Sequence, residues 1–129
     1  MIKPRPTHAR STSLLTLIAL LGATAIGAGA LGGHALQGIL DTGQIATWDT
    51  ATRYLVWHVL AALALVLSGK PALVVPSGWL LTGALLFSGS LYAWLLLGWR
   101  PLVFITPVGG ITMITGWLWL AWTFWKSND

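Results

Sequence analysis

The sequence predicts an all-α membrane protein whose four transmembrane helices form a compact bundle joined by short loops. Only 8% of the 129 residues are charged and 56% are hydrophobic, whereas a soluble domain carries about 25% charged residues. The few charges are bunched, so four stretches carry none: residues 11–40, 54–69, 71–99 and 101–125. A membrane-spanning helix needs roughly 20 mostly apolar residues. Each stretch can therefore supply one span, the second by including its polar N-terminal flank.

The prediction divides the chain into a basic tail (1–11), four spans (about 12–36, 48–68, 77–98 and 102–125) and a C-terminal tail (126–129). The first span changes midway from leucine-rich sequence to the small-residue run GATAIGAGALGG. The second ends before SGKPALVVPS, whose two prolines are poorly tolerated in a continuing helix. The turn GWRP separates the third span from the fourth. We expect no separate soluble domain, because the spans use most of the chain.

The distribution of basic residues predicts that both termini face the cytoplasm, because short cytoplasmic loops are enriched in lysine and arginine. This N-in/C-in arrangement puts five basic residues inside and two outside: Lys3, Arg5, Arg10, Lys70 and Lys126 inside, Arg53 and Arg100 outside. Tryptophan favours the headgroup layer. We therefore expect the tryptophans near the ends of spans to act as anchors: Trp48, Trp79, Trp99, Trp122 and Trp125.

Small residues in the first span predict a helix-packing face. Ala25, Gly29 and Gly33 follow one another at intervals of four, and Gly29-x-x-x-Gly33 is a pattern that lets membrane helices approach closely. We expect this face to contact the chain's own bundle or another copy. The triplets 23–25 and 28–30 also resemble signal-peptide cleavage sites. The apolar run is nevertheless long enough to span, which favours a retained helix.

Polar side chains inside the spans are the candidate functional residues, because such groups are costly in a membrane and are usually paired or functional. Asp49 and Arg53, four residues apart, are expected to form an interfacial ion pair. Tyr54 and His58 share a neighbouring face, and further polar groups are expected at similar depth: His34, Ser88, Ser90, Tyr92 and Thr106. Together they predict a polar network in the outer half, which either fixes the helices or lines a small cavity.

Other classes of site find little support. No cysteine is present, and we expect no metal or cofactor. A haem held between His34 and His58 stays an alternative, although no second histidine pair accompanies it. No buried carboxylate is available to orient a catalytic histidine, so we predict no enzyme. The basic residues are scattered, which argues against nucleic acid. Residues 27–32 match G-x-G-x-x-G, but no strand precedes them as dinucleotide binding requires.

Three motifs carry a resemblance to a known family. They are the glycine-rich GAGALGGHALQG ending near His34, the segment TATRYLVWHVLAALAL with Arg53, Tyr54 and His58, and the pair SGSLY and ITPVGG. The chain, from about Leu21 to Leu120, resembles the small four-helix inner-membrane proteins of unknown function typified by YgdD and YwdK. The resemblance implies a multi-pass membrane protein and supplies no activity.

These observations lead to a functional hypothesis. The chain is expected to be an integral protein of the bacterial inner membrane. Its expected role is that of a structural or accessory component, which packs with itself or with a larger membrane complex, because helix faces carry small residues and the loops are too short to host chemistry. The alternative hypotheses are a small transporter or channel subunit with a polar cavity in its outer half, and a haem-binding subunit.

Overall fold

A computed structural model describes residues 7–127, with side chains from residue 12 onward. Across that range the chain forms four long helices and no strand: α1 (Thr7–Ala30), α2 (Thr42–Leu67), α3 (Pro71–Leu97) and α4 (Ile105–Lys126). A π-helical turn, Leu31–Ala35, continues α1, and a 3₁₀ turn, Arg100–Phe104, leads into α4. Each helix, with these turns, is long and apolar enough to cross a membrane. The predicted four-span, all-α class is therefore confirmed, while the N-in/C-in orientation stays a prediction.

Two helices begin about six residues before the predicted spans, because their first turns are capped by polar residues or proline. Asp41 caps α2: its carboxylate accepts from the Gln44 backbone N–H at 2.9 Å, and the Gln44 side chain accepts from the Asp41 N–H at 2.9 Å. Pro71 opens α3, where its missing N–H costs nothing. Gly98, with φ of 67°, ends α3 in a left-handed conformation.

The predicted tails overlap the helices. α1 begins at Thr7, so its backbone includes the end of the predicted 1–11 tail, and residues 1–6 lie outside the described range. α4 ends at Lys126, and residues 128–129 of the predicted C-terminal tail also lie outside it. The prediction that these segments are tails therefore stays open.

Successive helices run antiparallel, which gives the bundle two ends. The terminal end holds the start of α1, the α2–α3 turn and the end of α4, and the distal end holds the two other connections. Within the described range, the backbone of α1 comes close only to α2, whereas α3 comes close to both α2 and α4. The main core joins all four helices through apolar side chains: Ile18, Ala25, Leu55, Val59, Ala62, Val66, Leu81, Ala84 and Met113.

Glycines set the close approach of α3 and α4. A Cβ at Gly83 would lie 2.7 Å from the Met113 backbone nitrogen, and one at Gly109 would lie 2.7 Å from the Gly83 carbonyl oxygen and overlap the Phe87 backbone. Both neighbours are main chain and cannot rotate away. The two helices therefore touch backbone to backbone, as small residues allow between membrane helices.

This contact predicts opposite outcomes for two adjacent substitutions. Gly109→Ala should lower the free energy of unfolding by about 1–3 kcal/mol or more, because its methyl group forces α3 and α4 apart. Gly110→Ala is the matched control. Its Cβ would meet only the Phe87 ring edge at 4.0 Å, so the better helix propensity of alanine should leave stability unchanged or slightly raised. Unfolding in mixed detergent, followed by circular dichroism, measures both, and equal effects would refute the backbone contact.

Candidate functional site

The predicted polar residues of α3 and α4 bond across helices. The Tyr92 hydroxyl lies 2.7 Å from Thr52 Oγ1 of α2, and Ser90 Oγ lies 2.7 Å from Thr106 Oγ1 of α4. Ser88 Oγ donates to the Ala51 carbonyl at 2.7 Å. Three interhelical bonds thus join α2 to α3 and α3 to α4. They lie in the half of the bundle nearer the distal end.

The direction of two of these bonds follows from a second contact. Thr52 Oγ1 donates its single hydrogen to the Trp48 carbonyl at 3.0 Å, so Tyr92 must be the donor to Thr52. By the same argument Thr106 donates to Ser90, because Ser90 Oγ donates to the Phe87 carbonyl at 2.9 Å. Each is a hydrogen-bond chain, meaning two successive bonds that end on a backbone carbonyl.

His58 is the middle member of a third hydrogen-bond chain. It is only 5% exposed, its Nδ1 lies 2.7 Å from the Tyr54 carbonyl, and the Trp117 indole nitrogen lies 3.2 Å from its Nε2. An indole N–H can only donate, so Nε2 accepts and Nδ1 carries the proton. The imidazole is therefore neutral with both nitrogens bonded. Trp79 donates to Thr115 at 2.8 Å, and Thr115 donates to the Thr112 carbonyl at 2.9 Å, which forms a fourth chain.

His58 lies deeper than the other predicted residues. At a rise of 1.5 Å per residue it is about 24 Å from the start of α2, in the half nearer the terminal end. The early start of α2 accounts for this depth. His34 lies in the π-helical turn at the distal end and is exposed. The structure therefore separates the two histidines that a shared haem would need.

Arg53 and Asp49 do not form the predicted ion pair. Both side chains are exposed on α2, and no contact within the ion-pair limit of 4.0 Å joins them. Tyr54 lies beside them but turns inward, with its ring 4.8 Å from that of Phe87 and stacked at 6.2 Å on the His58 ring. The prediction of an interfacial salt bridge is wrong. The Asp49 carboxylate lies beside the π-helical turn instead, where a Cβ at Gly32 would be 3.3 Å from its Oδ1.

The packing residues predicted on the first span have different environments. Ala25 is buried against the core. A Cβ at Gly29 would lie at an ordinary 3.8 Å from Thr52, and Gly33 is exposed with open space around it. The closest approach of this region to α2 comes instead at Gly32, where a Cβ would lie 2.5 Å from Trp48 Cδ1.

Trp48 was predicted to anchor in the headgroup layer, and this prediction is wrong. The side chain is 2% exposed, its N–H donates to the Ala28 carbonyl at 2.7 Å, and its ring lies 4.4 Å from that of Tyr92. Gly32 leaves the space that the indole occupies. The sequence analysis missed two residues that bond across helices, Thr52 and Trp117. The spacing of four residues between Trp48 and Thr52 was one signal that could have indicated Thr52. Nothing in the sequence distinguishes Trp117 from the other tryptophans.

A groove of about 350 Å³ lies between α2, α3 and α4, beside His58. Of the predicted residues, Tyr54 and His58 line it, while His34, Arg53 and Tyr92 do not. Its walls are mostly aromatic or apolar: Tyr54, Trp57, His58, Phe87, Gly110, Met113, Ile114 and Trp117. The groove beside His58 is therefore separate from the interhelical polar bonds of the distal half, and the two do not line one cavity.

The polar side chains in the interior of the bundle are hydrogen-bonded to one another or to the backbone. Among the described residues, no buried side-chain nitrogen or oxygen lacks a hydrogen-bond partner. The same part of the chain holds no group of three histidine, cysteine or acidic side chains placed to bind a metal ion. The arrangement joins helices, and each bond of this type contributes about 0.6–2 kcal/mol.

Fold and interior together define a multi-pass, all-helical integral membrane protein. Comparison with known proteins identifies its family. The model of the family "Protein of unknown function (DUF423)" matches residues 28–110, and curated relatives carry the name UPF0382 membrane protein. The chain belongs to this DUF423/UPF0382 family, which confirms the predicted resemblance to YgdD-like proteins.

Relatives occur in bacteria and in a yeast. A UPF0382 membrane protein of Haemophilus influenzae is 41% identical over 119 residues, covering 89% of this chain and 95% of its own length. One from Schizosaccharomyces pombe is 39% identical, covering 61% and 72%. The UPF0382 inner membrane protein YgdD of Escherichia coli is 36% identical, covering 62% of each chain. No solved structure matches. The predicted membrane localisation is confirmed, and the family is one of unknown function.

The two tyrosines of the chain test the hydrogen-bond chains. Tyr92→Phe should lower the free energy of unfolding by about 1 kcal/mol, because Tyr92 donates the bond that joins α3 to α2. Tyr54→Phe should have little effect, since the contacts of Tyr54 are made by its ring and its carbonyl. Detergent unfolding of both variants and of Tyr92→Phe in a Thr52→Val background measures the coupling. A Tyr92→Phe effect that persists undiminished without Thr52 would contradict the assignment.

Proposed function

We propose that this protein is a structural or accessory component of the membrane, which packs through α1 with a second copy or with a larger complex. The observation that carries the proposal is the exposed face of α1. Ala23, Gly27 and Ala30 recur there at helical spacing, and a Cβ at Gly27 would meet nothing within 4 Å. Small residues let a neighbouring helix approach closely.

Comparison with α4 supports this interpretation. Both helices have a low buried share, 17% of the apolar window in each. The exposed face of α4 carries large side chains, among them Ile111, Ile114 and Leu118, which pack well against lipid tails, whereas α1 exposes small residues between large ones such as Leu20 and Ile26. Lipid gives no advantage to glycine, which costs about 1 kcal/mol relative to alanine within a helix. Gly27 is therefore better explained by contact with another helix than by contact with lipid.

The interior supports a structural role as well. Four hydrogen-bond chains join the helices, and each ends on a backbone carbonyl, so their donors are used within the bundle. The DUF423/UPF0382 family has no known activity that would assign another use to these groups. A bundle held by its own polar groups is suited to present fixed outer faces to a partner.

A single cysteine tests the proposal, because the natural chain contains none. Gly27→Cys should form a disulfide-linked dimer under mild oxidation in native membranes if α1 packs on α1 of a second copy. If it packs on another protein, the variant should instead shift to a discrete larger adduct with a membrane-permeant crosslinker. Gel mobility with and without reductant measures the first outcome, and mass analysis of the adduct measures the second.

Leu118→Cys on the exposed face of α4 is the matched control, since 65% of Leu118 is exposed. It should give neither product. A second control is Gly27→Leu, which should not lower helix content or the free energy of unfolding, because the space around Gly27 is open and leucine favours a helix more than glycine does. It should nevertheless abolish co-purification of two differently tagged copies or of the partner. Equal crosslinking at Gly27 and Leu118, or a monomer without any adduct, would refute packing through α1.

A further inference from the structure

Arg53 places an exposed positive charge within a membrane-spanning helix. At a rise of 1.5 Å per residue it lies about 16 Å from the start of α2, close to the level of the interhelical bond between Thr52 and Tyr92. No carboxylate of the described chain lies within 4.0 Å of its guanidinium. An ionised side chain at this depth needs a partner, because hydrocarbon does not solvate it. The carboxylate one turn away, on Asp49, lies beside Gly32, so the charge is open to a partner from outside the described chain.

The groove beside His58 begins one helical turn from this charge. Trp57, four residues after Arg53 and on the same face of α2, lines the groove and is 53% exposed. On the opposite wall Ile114 and Trp117 of α4 are also exposed, so the groove opens onto the outer surface of the bundle. Its volume of about 350 Å³ falls within the range of small-molecule sites, roughly 300–1,000 Å³.

We infer that Arg53 and this groove together bind an anionic phospholipid. The acyl chain lies between α2 and α4 against Trp57, Phe87 and Trp117, and the phosphate pairs with the Arg53 guanidinium. Two features support this occupant. The groove is apolar and lies in the spanning part of the fold, where acyl chains are the surrounding medium. The charge beside it is positive, and a guanidinium binds a phosphate through two parallel hydrogen bonds.

The direction of α2 places the Arg53 charge and the groove at the depths of the headgroup and the acyl chain of one lipid. Side chains of a helix lean toward its N-terminus, which for α2 is the distal end. The arginine side chain can therefore extend along the helix toward the distal headgroup layer while its stem covers apolar surface. The groove lies on the other side of Arg53, toward the terminal end. A lipid of the distal leaflet meets the charge first and then the groove.

Asp49 is the neighbouring group that could oppose this binding. It is exposed one turn nearer the distal end, and its negative charge repels a phosphate. If Arg53 acts through an ion pair with Asp49, removing either residue should have the same effect. If Arg53 binds lipid, removing Asp49 should preserve or strengthen the binding. The two substitutions therefore distinguish the two roles.

Native mass spectrometry of the full-length protein in mild detergent tests the inference. The protein is offered equal amounts of phosphatidylglycerol and phosphatidylcholine with identical acyl chains. The wild type should retain phosphatidylglycerol with a preference of about fivefold, the advantage of one basic residue for an anionic lipid. Arg53→Gln should abolish the preference, Arg53→Lys should keep most of it, and Asp49→Asn should keep or increase it. Circular dichroism confirms that each variant is folded.

Two further measurements test the groove. Trp57→Ala should lower the total amount of both lipids retained, because it removes one wall, whereas Leu60→Ala, an exposed change on α2 outside the groove, should not. Excess glycerol 3-phosphate, which has the anion without the acyl chain, should not displace the lipid. The inference fails if Arg53→Gln keeps the preference, if Asp49→Asn loses it, if Trp57→Ala retains as much lipid as the wild type, or if glycerol 3-phosphate competes.

Discussion

Hydrogen-bonding groups inside a bilayer have no water to bind, and the structure depends on how this chain meets that constraint. A helical carbonyl keeps a second lone pair after it accepts the backbone bond of its own helix. The side chains of this protein use that capacity repeatedly. Thr52, Ser90, Thr115 and His58 each donate to a carbonyl three or four residues earlier and accept a bond from a different helix. Each interhelical bond is thereby fixed to the backbone of one helix.

Short polar side chains can bond across helices only where the helices come very close, so the polar contacts depend on the glycines. Ser90 and Thr106 reach each other because α3 and α4 touch at Gly83 and Gly109. Trp48 reaches the Ala28 carbonyl because Gly32 leaves room for its ring. Packing and hydrogen bonding therefore stabilise the same contacts. A substitution that separates two helices also leaves their polar groups unpaired, which costs more than the lost packing alone.

The sequence predicted those features that depend on composition over a whole span. The scarcity of charged residues predicted a membrane environment, four helices and the all-α class. The cost of polar groups in hydrocarbon indicated Ser88, Ser90, Tyr92 and Thr106 as paired residues, and these side chains do bond across helices. It could not predict contacts that need a partner on another helix. Trp48 has the residue type and the position in the span that are typical of an anchor. It is a core residue because Gly32, sixteen residues earlier, leaves space for its ring.

The hydropathy pattern also could not predict where the helices begin. The residues that start α2, Asp41 and Gln44, are polar and extend the helix past the apolar stretch, which moves His58 away from the distal end. The faces of α1 were equally ambiguous, because adjacent small residues at Ala28, Gly29, Gly32 and Gly33 fit two neighbouring faces. Which of these faces packs on α2 depends on the side chains of α2, because Trp48 lies against Gly32.

The same constraint indicates where this protein meets other molecules. Within the described chain every buried side-chain nitrogen and oxygen has a hydrogen-bond partner, so the interior offers a ligand no unpaired polar side chain. Arg53 differs, because its charge is exposed and no carboxylate of the described chain lies within 4.0 Å of it. A charge cannot be left bare in hydrocarbon, so either the side chain extends to the headgroup layer or a phosphate is drawn to it, and both place anionic headgroups against α2. Both proposed contacts with other molecules therefore lie on the outer faces of the bundle, one on the small-residue face of α1 and the other on the charged face of α2.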